Sequence, residues 1–171
     1  MAIRKIVQEG DPILKKVCRP VTKFDWRLAQ LLDDMKETLR RADGVGLAGP
    51  QVGMLRRLCV VLQPDEEGHY EDEDGRLVGT MLELVNPEIL SQEGAEKGGE
   101  GCLSFPGKNA EITRPTRVTY RAQDHTGAWY THTVEGITAR CVCHECNHLD
   151  GITIMDLAEG FLDEDGEEIE E

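Results

Sequence analysis

His144-Glu145-Cys146-Asn147-His148 constrains this chain more than any other stretch. At about 100° per residue in a helix, histidines four positions apart stand within roughly 40° of each other, with Glu145 beside them. Two imidazoles on one face can grip a divalent metal ion, and the carboxylate between them can serve as general base on a water bound to it. Such a site needs three protein ligands and one open position. The fold must therefore bring a third ligand to this helix.

The short-range options fail. The protease continuation His-x-x-Gly-x-x-His is followed as far as Gly151 and breaks at Ile154, and no histidine occurs after His148. Asp156 and Glu159 stand at the edge of an acidic tail. A structural zinc or redox knuckle of Cys141, Cys143, His144, Cys146 and His148 is the competing arrangement. On a helix, however, Cys146 faces away from His144, and knuckles draw their ligands from two separated segments.

Upstream, residues 3–21 read as an extended arm. Asp25 caps a helix over residues 26–41, in which Leu28, Leu31, Leu32, Met35 and Leu39 form the buried stripe. The glycine-rich run at 44–53 fits neither dinucleotide nor phosphate loops; it offers bare backbone for close approach, with the Gln51 amide nearby. Residues 56–62 and 81–86 read as strands, and 94–107 as a loop. Residues 117–123 and 128–134 form a hairpin around Asp124-His125-Thr126-Gly127, and Gly136 opens the motif helix. Strands followed by one motif helix predict a single α+β domain over residues 1–158, with an acidic, mobile loop insertion at about 63–80 and an acidic tail at 159–171.

The net charge of -14 is local. Residues 65–74 hold seven acids and residues 159–171 eight, with no lysine or arginine in either, so the remainder carries +1. That distribution argues against nucleic acid or an anionic membrane as a direct partner, since both need a basic face. The six cysteines follow no secreted-domain spacing, no apolar signal segment opens the chain, and no apolar run approaches the roughly 18 residues of a membrane span. A reduced, cytoplasmic setting is expected.

Three separated motifs resemble those of the peptide deformylases. Gly44-Val45-Gly46-Leu47-Ala48-Gly49-Pro50-Gln51 is similar to the family's Gly-x-Gly-Leu-Ala-x-x-Gln, Glu100-Gly101-Cys102-Leu103-Ser104 to its Glu-Gly-Cys-Leu-Ser, and His144 to Gly151 to its His-Glu-x-Asp-His-Leu-x-Gly. Weaker similarity covers Gly10-Asp11-Pro12, Asn86-Pro87 and Arg114. Asn147 stands where the family usually has Asp, Cys143 where Gln is common, and Gly49 where Ala is frequent.

The resemblance implies antiparallel sheets packed around the motif helix, and a hydrolase that removes the formyl group from the N-terminal methionine of nascent chains. It implies Cys102 as the third metal ligand beside His144 and His148, with iron(II) as the cellular metal and zinc or nickel possible in purified protein. Glu145 becomes the general base and acid, and the Gln51 amide and Leu103 backbone N–H become the oxyanion donors. Gly46, Val45, Ile137 and Cys141 would contact the substrate, Cys141 as pocket wall. Glu100 would orient His148, with Arg114 as its partner. An acidic tail makes ribosome docking through that end doubtful.

Overall fold

Asp25 starts the first helix where the sequence places it. In the computed structural model, which describes residues 2–169, α1 spans Trp26–Arg41, and the Asp25 carboxylate accepts from the Arg27 and Leu28 N–H groups. Those are two of the donors that every helix start leaves unpaired. Eight strands follow in order: β1 (Gly46–Ala48), β2 (Leu58–Gln63), β3 (Thr80–Glu93), β4 (Glu96–Glu100), β5 (Ala110–Arg114), β6 (Arg117–Gln123), β7 (Trp129–Glu135) and β8 (Gly160–Phe161). Between the last two lie α2 (Gly136–Leu149) and the single-turn α3 (Ile154–Leu157).

Two antiparallel sheets result: a five-stranded sheet ordered β1-β2-β3-β6-β7 and a three-stranded sheet ordered β4-β5-β8. Helix α1 covers one face of the larger sheet, packing Leu28, Leu32 and Leu39 with Leu58, Val60 and Leu62. Helix α2 covers the other face, where Ala139, Val142 and Leu149 join Cys59, Val61, Leu84 and Tyr120. Alternate residues of β2 thus serve both cores, which is why that strand is apolar throughout instead of alternating. Burial on this scale, at about 25 cal/mol per Å² of apolar surface, is the main force holding α2 in place. The opposite side of α2 meets the small sheet through polar contacts. The motif helix therefore lies between the two sheets.

Strand β3 runs past the point where the sequence reading ends it. Pro87 lacks an N–H, but it falls at a register shift between Val85 and Glu88, where the ladder does not need one. Asn86 takes the left-handed conformation there (φ 51°), and its amide bonds Val21 N–H, Val21 carbonyl and Gln123. Residues 94–107 are also less loop-like than the sequence predicts. Glu96–Glu100 is strand β4, paired along its whole length with β5.

The acidic segments are built from tight turns. In Asp65 to His69, Asp72 to Arg76 and Asp163 to Glu167, the aspartate side chain accepts from the N–H groups two and four residues on. The glycine at the fourth position of each has positive φ. Residues 162–169 fold back beside β8 through the Leu162–Glu168 bridge and the Ile169 N–H bond to Phe161.

Candidate metal centre

The start of α2 is fixed by Gly136, which turns out of β7 at φ 58°. Eight and twelve residues later His144 and His148 face the small sheet, with ring centroids 4.9 Å apart. The third group comes from the chain that leaves β4. Cys102 Sγ lies 3.4 Å from His148 Nε2, and one donor atom each from Cys102, His144 and His148 fall within 4.8 Å of one another. No other such group of three occurs among the described residues. Asp156 is engaged with Lys15 and the Thr153 N–H, and Glu159 with Thr113, so neither acid reaches the histidines. Cys143 and Cys146 pack in the core with the sheet, and burial pushes both thiols up, away from thiolate character.

Glu100 differs in its partner from the sequence reading. Its Oε1 accepts from His144 Nδ1 at 2.8 Å, not from His148, whose buried Nδ1 has no partner. Glu100 ends β4 and faces the α2 turn that carries His144, whereas His148 lies one turn deeper, with Nε2 against Cys102. Arg114 does hold Glu100, through Nε to Oε2 at 2.8 Å and Nη2 to Oε1 at 2.9 Å, and its Nη1 reaches Asn147 Oδ1. An oxygen is all this contact uses, so asparagine suffices where an aspartate would serve. Burial pulls Glu100 upward, but hydrogen bonds from Arg114 and His144 outweigh it and hold the carboxyl at about 2.

With Nδ1 of His144 committed, its Nε2 is the atom turned to the site. Burial opposes a charge on this ring, yet Glu145, Cys102 and Glu100 together draw its pKa up to about 10. His148 is pushed down to about 3 by burial and then by His144, which keeps it in the neutral form that ligates. Two imidazole nitrogens and a cysteine sulfur gathered within 4.8 Å of one another are a donor set that suits a divalent transition metal. The residues fit a metal.

Glu145 lies beside them, Oε2 being 3.9 Å from His144 Nε2 and Oε1 buried without a hydrogen-bond partner. Burial raises its carboxyl to about 7 against the pull of His144. Gly46 backs onto it. A Cβ at Gly46 would collide with Glu145 Oε2 and stand 2.6 Å from Cys141 Sγ. Cys141 donates to the Val45 carbonyl at 3.3 Å, and burial keeps its thiol protonated.

A cavity of about 410 Å³ opens from this point. Gly46, Val45, Gln51, Leu103, Ile137 and Cys141 all line it, with Ile137 exposed at its mouth. The short helical turn Gly49–Val52 sets Gln51: its Oε1 accepts from Ala48 N–H at 2.9 Å, which turns Nε2 toward Ser104 Oγ (3.1 Å) and Cys102 Sγ (3.6 Å). Ser104 and Arg140 belong to this constellation, and the sequence assigns neither a role. Ser104 lies within a quoted motif, but Arg140 carries no signal beyond its place one turn before His144.

The polypeptide deformylase family model matches residues 3–162. A peptide deformylase of Caldicellulosiruptor bescii is 47% identical over 171 residues, 100% of this chain and 93% of that protein. The crystal structure of a peptide deformylase from Thermotoga maritima matches with a TM-score of 0.81 at 36% identity, covering 93% of this chain and 99% of that one. A Met-Ala-Ser-bound class I type b peptide deformylase from Acinetobacter baumannii matches with a TM-score of 0.80 at 30% identity, covering 91% and 98%.

Proposed function

The chain belongs to the polypeptide deformylase family, and from that premise we propose how its own residues carry the reaction. It is a hydrolase that removes the N-formyl group from the N-terminal methionine of newly made proteins, in a family whose activity depends on a metal. Cys102, His144 and His148 hold the ion. When bound, it acts as a Lewis acid that acidifies water and polarises the formyl oxygen. Iron(II) is the cellular ion on this reading, with zinc or nickel possible after purification, since availability as well as ligand type decides occupancy.

Glu145 takes the proton of the attacking water and returns it to the departing amine, giving formate and a free methionyl N-terminus. The Gln51 amide and the Leu103 N–H are the donors to the oxyanion as it forms. Gly46 lets the formyl group approach Glu145, while Val45, Ile137 and Cys141 wall the methionine side chain. Glu100, gripped by Arg114, keeps His144 in one tautomer and orientation. The observation that carries the reading is the buried, unpartnered Glu145 oxygen beside three donor atoms within 4.8 Å of one another.

Nascent formylated chains are the partners on this reading. The acidic tail gives no basic surface for docking on the ribosome, and no helix among the described residues is long and apolar enough to cross a membrane. The test is formate release from formyl-Met-Ala-Ser by protein purified without oxygen. Turnover at one metal per chain is expected; a fully metallated chain that releases no formate overturns the reading.

A further inference from the structure

Arg140 precedes His144 by one turn of α2. Its Nη1 donates to Glu100 Oε2 at 2.9 Å and to the Ile112 carbonyl at 3.0 Å, and its Nη2 donates to the Glu96 carbonyl at 2.8 Å. Glu96 and Glu100 are the two ends of β4, and Ile112 is the middle of β5. The strand leaves room for this: a Cβ at Gly98 would stand 3.2 Å from Nη2 and 3.4 Å from Cζ, so the guanidinium lies against bare backbone. Arg114 reaches from the sheet to α2 at one residue, Asn147. Arg140 reaches from α2 to the sheet at three.

The donor set is divided across this same seam. His144 and His148 ride on α2, whereas Cys102 follows β4 by two residues. We propose that Arg140 is a positioning residue of the metal centre, the strap that fixes β4, and with it Cys102, at its distance from the two histidines. The inference rests on the metal-dependent reading above. An ion leaves a three-ligand site one bond at a time, and a thiolate that stays within reach rebinds before the others let go. Supporting contacts of this kind govern how tightly a site holds its ion. Lysine cannot stand in, because one ammonium nitrogen cannot reach three acceptors that two guanidinium nitrogens divide between them.

The experiment compares the full chain with Arg140→Met, which keeps the aliphatic stem, and with Arg140→Lys, which keeps the charge. Two quantities are read: the rate at which a chelator strips zinc from the zinc-loaded protein, and the sulfur-to-metal charge-transfer absorption of the cobalt-loaded protein. Arg140→Met is expected to release zinc about 10- to 100-fold faster, with a weakened charge-transfer band. Arg140→Lys falls between the two. Release rates and cobalt spectra of Arg140→Met that match the unaltered chain overturn the proposal. If that variant does not fold, Arg140→Lys decides, and behaviour matching the unaltered chain overturns it equally. An unaltered chain that takes up neither metal instead overturns the metal-centre reading, and this inference with it.

Discussion

Glu145 and Cys102 sit within one cavity wall yet should fail in different ways. Glu145→Gln keeps the shape and removes the base, so metal content should stay at one per chain while kcat falls by about 10² to 10⁴. Cys102→Ala removes a ligand, so metal content itself should fall; a fully metallated Cys102→Ala chain would mean that the third ligand lies elsewhere. Gly46→Ala tests the fit behind the base. The added methyl meets the Glu145 carboxylate and Cys141 Sγ, so formate release should drop by far more than the thermal midpoint, and equal activity would show that Glu145 has freedom to move aside. At this scale the sequence was informative where chemistry and spacing coincide. His144 and His148 are legible from a four-residue interval, and Cys102 from the motif around it. The partner of Glu100 was not legible. Both histidines share a helix face, and no spacing tells which ring nitrogen meets a carboxylate that arrives on a distant strand.

Helix α2 ends as deliberately as it begins. Gly151 has φ 73°, and a Cβ there would stand 2.5 Å from the Lys15 carbonyl. Gly151→Ala therefore combines a left-handed strain of about 1 to 3 kcal/mol with a backbone collision. Thermal unfolding should shift down by about 2 to 4 °C for each kcal/mol at this chain length; an unchanged midpoint would show that the arm at Lys15 yields without cost. The elements legible in the sequence are those with a period and a punctuation mark: α1 behind Asp25, the hairpin of β6 and β7 around Asp124 and Gly127, and α2 opened by Gly136. Strand β4 has neither. Glu96-Lys97-Gly98-Gly99-Glu100 shows no apolar alternation, and its strand form depends on pairing with β5 and on the Arg140 contacts. Likewise Pro87 is a strong stop signal that a bulge made harmless.

Across the whole molecule, charge is the property most open to experiment. Away from the metal centre, Glu83 joins three elements: its Oε2 meets Lys36 of α1 at 2.6 Å, and its Oε1 meets His125 Nδ1, from the turn between β6 and β7, at 2.8 Å. Glu83 raises His125 by hydrogen bond and charge, with Asp124 adding to the effect and burial and Lys36 opposing it. Burial pulls Glu83 up, but Lys36 and His125 bring it below its ordinary value. The His125 contribution is complete below the unfolded imidazole value of about 6.5 and is lost as pH rises through the higher folded value. The Glu83 contribution is complete above about 4.5 and is lost as pH falls through the lower folded value. Their joint effect peaks between about pH 4.5 and 6.5. His125→Ala should thus lower the midpoint more at pH 5.5 than at pH 9, and equal differences would show that the pair is uncoupled.

The position of α2 between two sheets also has a consequence for the order of synthesis. The last long helix along the chain is the one most enclosed by it, and Cys102 emerges before either histidine is made. A growing chain can pair β1 to β3 while its donor set is still incomplete, and β4 gains its Arg140 contacts only when α2 follows. Competence to hold an ion should then arrive abruptly, once α2 is translated and seated, so metal uptake by stalled nascent chains of graded length would time the closing step of assembly.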